Sequence, residues 1–171
     1  MILIRPSAAA LLLTLAASPV VLAAEPSGCD KFKWDIARER AALTAADRQR
    51  LDSGAEIASL PASGLVLALR PLVDARLPTA PERAPKDGTF AGVTRIASAP
   101  EAGVYTVSLS EAAWIDVLQD GRILKPIAFS GATDCDGIRK TVKYELGARP
   151  FVLQISGTPD ASISIAILRA E

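Results

Sequence analysis

Histidine is absent from all 171 residues. That absence removes Ser-His-Asp and Cys-His catalysis, histidine-held zinc, copper or haem, and the two-histidine, one-carboxylate iron site. Cysteine is nearly absent, with only Cys29 and Cys135. Excess charge of either sign is missing, since 19 Lys and Arg balance 19 Asp and Glu. The basic residues are scattered, so there is no electrostatic footprint for nucleic acid and no polybasic segment for anionic lipid. Beyond Leu22 no apolar run approaches the ~20 residues of a membrane helix, so no transmembrane segment is expected in the mature chain. No glycine-rich loop joins a strand to a helix, so phosphate cradling has no support. The expectation is no catalytic residue, no cofactor and no metal.

What is present begins with a leader. Arg5 supplies a positive start, and Ala8 to Leu22 is apolar apart from Thr14, Ser18 and Pro19. Val21-Leu22-Ala23 places small residues at a cleavage position. Residues 1–23 therefore read as a secretory signal peptide, cut after Ala23 or, alternatively, after Ala24. The mature chain, 24–171, has the size of one domain and is expected in the periplasm or outside the cell. In that compartment an even cysteine count favours a Cys29–Cys135 disulfide. It would close a loop of roughly 106 residues, worth roughly 4–5 kcal/mol in the chain-entropy account. The competing reading is a lipoprotein acylated on Cys29. Ser27-Gly28 fits it, whereas Pro26 and Glu25 do not, and Cys135 would be left as an odd thiol.

Along the mature chain, Phe32, Ile36 and Leu43 share a helical face, predicting a helix from about Asp35 to Ala42 with Asp35 near its start. A second helical piece, Ala45 to Leu51, is possible with Thr44 as its cap. Leu65 to Arg70 reads as a strand bounded by Gly64 and Pro71. Leu77 to Asp87 carries Pro78, Pro81 and Pro85, which predicts an extended irregular segment. Thr89 to Ala97 is a strand whose Gly92 could mark a bulge.

The centre of the chain is Gly103 to Lys125. Tyr105, Val107 and Leu109 alternate with Thr106, Ser108 and Ser110, the period of a half-buried strand. Trp114 to Leu118 and Ile123-Leu124 flank Asp120-Gly121, a strong hairpin signal because both turn residues must take positive φ. Val142 to Leu146, Phe151 to Ser156 and Ser162 to Ile167 alternate in the same way. The expectation is a mainly β, antiparallel, jelly-roll-like β-sandwich with a short N-terminal helix.

Few constellations carry chemistry. Asp116 and Glu111 lie close in sequence, which leaves a carboxylate-based hydrolase acting on cell-wall glycan as the alternative function. Asp134-Cys135-Asp136-Gly137 has the opening of a calcium loop without its later ligands, and reads better as a turn. On a strand, Trp114 and Asp116 share a face opposite Ile115 and Val117. With Ile115 and Val117 in the core, Trp114 is presented beside an acid, and Arg139 or Lys140 from a neighbouring strand completes a polar platform. Trp114, Asp116, Arg139 and Lys140 are thus the candidate binding surface. The bland reading puts Trp114 in the core and pairs Asp116 with Arg139 or Lys140.

Two resemblances follow from these segments. Ala102 to Leu109 and Phe151 to Gly157 resemble strands of bacterial pre-peptidase C-terminal domains, which are exported β-sandwiches. Cys29 with Phe32 and Trp34, Trp114-Ile-Asp-Val with Asp120-Gly121, and Cys135 with Ile138-Arg139-Lys140 resemble a family of short exported proteobacterial proteins of unknown function. Some of its members are labelled homogentisate 1,2-dioxygenase, an activity that needs iron on histidines, and this chain has none. The expected role is an exported, non-enzymatic binding or accessory module for a peptide, a glycan or an envelope protein.

Overall fold

The computed structural model describes residues 24–97 and 101–171; the expected signal peptide lies outside them. One helix, α1 (Ala37–Thr44), precedes the strands β1 (Gln49–Asp52), β2 (Glu56–Ile57), β3 (Leu65–Ala68), β4 (Arg70–Pro71), β5 (Phe90–Ile96) and β6 (Gly103–Leu109). They are followed by β7 (Trp114–Gln119), β8 (Arg122–Ile123), β9 (Ala128–Gly131), β10 (Lys140–Leu146), β11 (Phe151–Thr158) and β12 (Ser162–Arg169). A first sheet runs β1-β3-β12-β6-β10-β9, and a second runs β2-β5-β11-β7-β8 with β4 beside β5. Setting aside β1, β2, β4 and the edge strand β9, the remaining strands divide into two four-stranded halves, β3-β12-β6-β10 and β5-β11-β7-β8. That is the paired Greek key of a jelly roll. The fold is therefore the expected β-sandwich with a short helix.

The inward residues of the alternating segments form one core across both sheets. It includes Leu65, Leu67, Val107, Leu109, Val117, Leu153, Ile155, Ile163 and Ile165. Burying such side chains supplies roughly 1.5–3 kcal/mol each before entropy is counted.

Several local expectations change. Gly103 to Lys125 is not one antiparallel unit: β6 joins the first sheet and β7 the second, and only β7 and β8 form the hairpin. Period-2 alternation specifies which face is buried, not which strand lies alongside. The turn itself is as expected, with φ of 53° at Asp120 and 72° at Gly121. Leu65 to Arg70 also changes sheet, at Leu69, between β3 and β4.

The second helical piece does not form. Gln49–Asp52 is instead a parallel edge strand on β3, and β2 is likewise parallel to β5. Arg48 turns back to bond the carbonyls of Leu43 and Ala45, which ends α1. The bulge falls on β11, where the register skips Gly157 at φ 81°, and not at Gly92. Gly92 is needed for space, because a Cβ there would lie 2.7 Å from a Leu69 methyl.

Each sheet has part of its outer face covered. On the first sheet the cross-strand row Ala166, Ser108, Thr141, Ser130 is made of small residues. α1 and the segment before it settle there, with Ile36, Leu43, Cys135 and Ile138 forming a second cluster. The Cys29–Cys135 disulfide is formed, with Cα atoms 4.7 Å apart. The Cys29 sulfur is thereby used, which leaves no thiol for a lipid in this state. On the second sheet the cover is the proline-rich strap that follows Leu77.

Candidate functional site

The strap crosses strands β7 and β11 where their outward side chains are polar. Register places Asp116 opposite Gln154 and Trp114 opposite Ser156. Ile115 and Val117 point the other way, into the core. Asp116 is 1% exposed and Gln154 is fully buried. One Asp116 oxygen accepts the Trp114 Nε1–H at 2.8 Å, and the other accepts Gln154 Nε2–H at 3.1 Å. Burial pushes the Asp116 carboxyl above the ordinary carboxylate range. The Trp114 and Gln154 side-chain donors and the Glu82 backbone donor oppose the shift, and the Glu82 carboxylate adds to it. The Gln154 Oε1 and Ser156 Oγ atoms beside it have no hydrogen-bond partner among the described residues.

Around this buried acid the exposed chemistry is cationic. Lys140 Nζ lies 5.1 Å from the centre of the Trp114 ring, and the Arg83 guanidinium carbon lies 5.9 Å from it. Lys140 also donates to the Ala113 carbonyl at 3.1 Å, and the Tyr144 hydroxyl donates to the Ile115 carbonyl at 3.1 Å. These two donors from β10 satisfy the β7 edge that the two-residue strand β8 leaves uncovered, and so stitch one sheet to the other. Burial, followed by the positive charges of Arg83 and Arg139, lowers the Lys140 ammonium pKa, while Asp116 opposes this. Burial, with Asp116 and Glu82, raises the Tyr144 phenol far above its usual range, so it stays a donor. Among the described residues, neither Arg83 nor Lys140 forms a salt bridge; the strap's own acid, Glu82, pairs with Lys125.

The sequence-expected residues thus divide. Trp114, Asp116 and Lys140 come together. Arg139 does not join them: it pairs with Glu25, near the first of the described residues. Among the described residues Asp116 forms a salt bridge with neither cation; its two oxygens accept from neutral donors. Trp114 is half-buried, neither in the core nor fully presented. Glu111, Asp134 and Asp136 are exposed. Among the described residues no group of three or more acids or cysteines could hold a metal ion. The Asp134–Gly137 segment is a turn: Asp134 accepts from Ser27 Oγ, and the Asp136 carbonyl accepts from Arg40.

Arg83, Gln154 and Ser156 were missed. The alternation of β11 already put Gln154 and Ser156 outside the core, but nothing local says that the strap covers them. One register step away, an open groove of about 480 Å³ crosses the same face. Arg95, Val152, Leu118 and Ile123 line it in cross-strand order, and Pro78 and Thr79 form part of its wall. No family model, curated protein or solved structure matches the chain.

Proposed function

We propose that this is an exported, non-enzymatic binding module that takes a carboxylate-bearing segment of an envelope peptide or protein at Trp114. The observation that carries the reading is the pair of cations, Arg83 and Lys140, resting on the Trp114 ring with no salt bridge to an acid among the described residues. Burial first, and then the positive charges of Arg83 and Arg139, lower the Lys140 pKa; an incoming carboxylate offsets the repulsion while making charge-assisted hydrogen bonds. Asp116 attracts Lys140 but among the described residues makes no salt bridge with either cation, its oxygens being bonded to the indole and Gln154. It fixes the ring instead. A neutral sugar is less well served, because stacking on the indole requires displacing the cations that occupy it. The exported setting rests on the apolar leader.

Tryptophan fluorescence of the purified protein, titrated with polyglutamate, polygalacturonate, polylysine and dextran, tests the reading. Binding to polyglutamate is expected, weakening as salt rises and lost in Arg83→Gln. Preference for polygalacturonate would move the ligand class from peptide to glycan. Equal response to dextran and polyglutamate would remove the proposal, as would turnover of any of the polymers.

A further inference from the structure

We infer that the free edge of β9 is a strand-addition site for an extended segment of another protein, one that alternates acidic and apolar residues. This surface differs from the Trp114 cluster, and the inference stands without that reading.

The four lateral edges of the sandwich are not treated alike. β1 carries exposed Arg50 and Asp52, and charges on an edge discourage pairing. The far edge of β5 is shared between β2 and β4. The exposed side of β7 is closed by Lys140, Tyr144 and the Leu124 amide. β9 carries no charged residue of its own, and among the described residues Lys33 lies against it, its N–H donating to Ser130 Oγ at 2.9 Å and its ammonium resting on Phe129. It pairs with β10 on one side only, and it carries Phe129, 62% exposed, with Ile127, 55% exposed, just before it.

The backbone polarity of that edge follows from its neighbours. Ala132 donates its N–H to Arg139 on the β10 side. By the alternation of a strand, Ser130 and Ala128 turn the same way, and Phe129 and Gly131 turn outward with Thr133. Thr133 already shows what the outward groups do: its N–H donates to the Pro26 carbonyl, and its carbonyl accepts from Gly28 in a short parallel bridge. Among the described residues the pairing stops there. Phe129 and Gly131 continue the same row of donors and acceptors, ready for main-chain bonds to an incoming strand.

Charge selects the occupant. Lys33 Nζ sits 4.9 Å from the Phe129 ring centre, and Lys143, in register with Ala128, sits 4.5 Å from that of Trp34. Among the described residues neither lysine has an acidic partner; each is parked on an aromatic ring. A second copy of this chain pairing β9 to β9 would bring like-charged lysines together. An acidic, apolar-alternating strand neutralises Lys33 and covers Phe129.

The test uses the disulfide-bonded protein and a capped nine-residue peptide alternating Glu and Val. Controls are its Lys-Val counterpart and a copy N-methylated along one edge. The Glu-Val peptide is expected to slow amide exchange at Phe129 and Gly131, with binding weakened about tenfold or more by Phe129→Lys or by N-methylation. Lys33→Glu should reverse the preference between the Glu and Lys peptides. Both substitutions are on exposed side chains and leave the fold intact. The inference is overturned if no peptide binds, if the Lys-Val or N-methylated peptide binds as well as the Glu-Val one, or if protection appears away from β9. Dimerisation that Phe129→Lys abolishes would assign the edge to a second copy and overturn it as well.

Discussion

Asp116 is buried beside neutral donors and has no cation in salt-bridge contact, so its cost and its role are separable. Asp116→Ala leaves the Trp114 Nε1–H and one Gln154 N–H unpaired, and should lower stability by about 1–3 kcal/mol in urea unfolding. Asp116→Asn should cost much less. Its carbonyl keeps the indole bond, and Gln154 can turn its unpartnered Oε1 toward the new N–H. The pH dependence has a definite sign. A carboxyl whose folded pKa is raised contributes most below the unfolded value and loses that contribution as pH rises through the folded one. Wild type should therefore lose stability relative to Asp116→Asn as pH increases upward from the ordinary carboxylate range. A difference that stays flat, or runs the other way, would show that Asp116 is not strained by burial. Of the site residues, Trp114 and Asp116 were legible because strand alternation fixes which side chains share a face; Lys140 joins them from β10 in the other sheet, not from a neighbouring strand. Arg139 was misassigned because its place is set by Glu25, far away in sequence.

The elements were legible wherever one face is core and the other is not. Asp120-Gly121 specified its hairpin through φ alone. α1 is less determined by its own sequence than by its seat. Gly64 donates to the Ala42 carbonyl at 3.1 Å, and a Cβ there would stand 2.6 Å from that oxygen and 2.9 Å from the Ile165 carbonyl. Gly64→Ala should push α1 off the first sheet, costing about 1–3 kcal/mol, visible as a lowered melting temperature. An unchanged melting temperature would mean the helix seat is looser than drawn. The second helical piece failed for a related reason: Gln49–Asp52 has helix-compatible residues, but β3 offers it a ladder, and tertiary pairing overrides weak propensity. The disulfide acts at this same scale. It ties the segment before α1 to the loop before β10 and closes a long loop, while the main core contains neither cysteine. Replacing both cysteines by serine should cost up to about 4–5 kcal/mol and lower the melting temperature, with the strand content of the circular dichroism spectrum retained. Loss of that content would mean the bridge, and not the core, holds the sandwich.

At the scale of the molecule, sheet membership could not be read from any local pattern, because it depends on which of several equivalent alternating strands meet. The same limit hid the strap's role. Three prolines predicted an irregular segment, but only the assembled second sheet shows that Glu82 and Arg83 come to lie by Asp116 and Trp114. The outcome is a sandwich with one outer face closed by a bonded helix and the other crossed by a proline-rich strap. The strap buries an acid and holds a cation over an indole. The direct test follows the two indole N–H signals, Trp34 and Trp114, in a proton–nitrogen NMR titration with polyglutamate, using Trp34→Phe for assignment. The Trp114 signal should move while Trp34 stays, and Arg83→Gln should hold it still. If Trp114 stays fixed, or both indoles move together with and without Arg83, acidic recognition at this site is wrong.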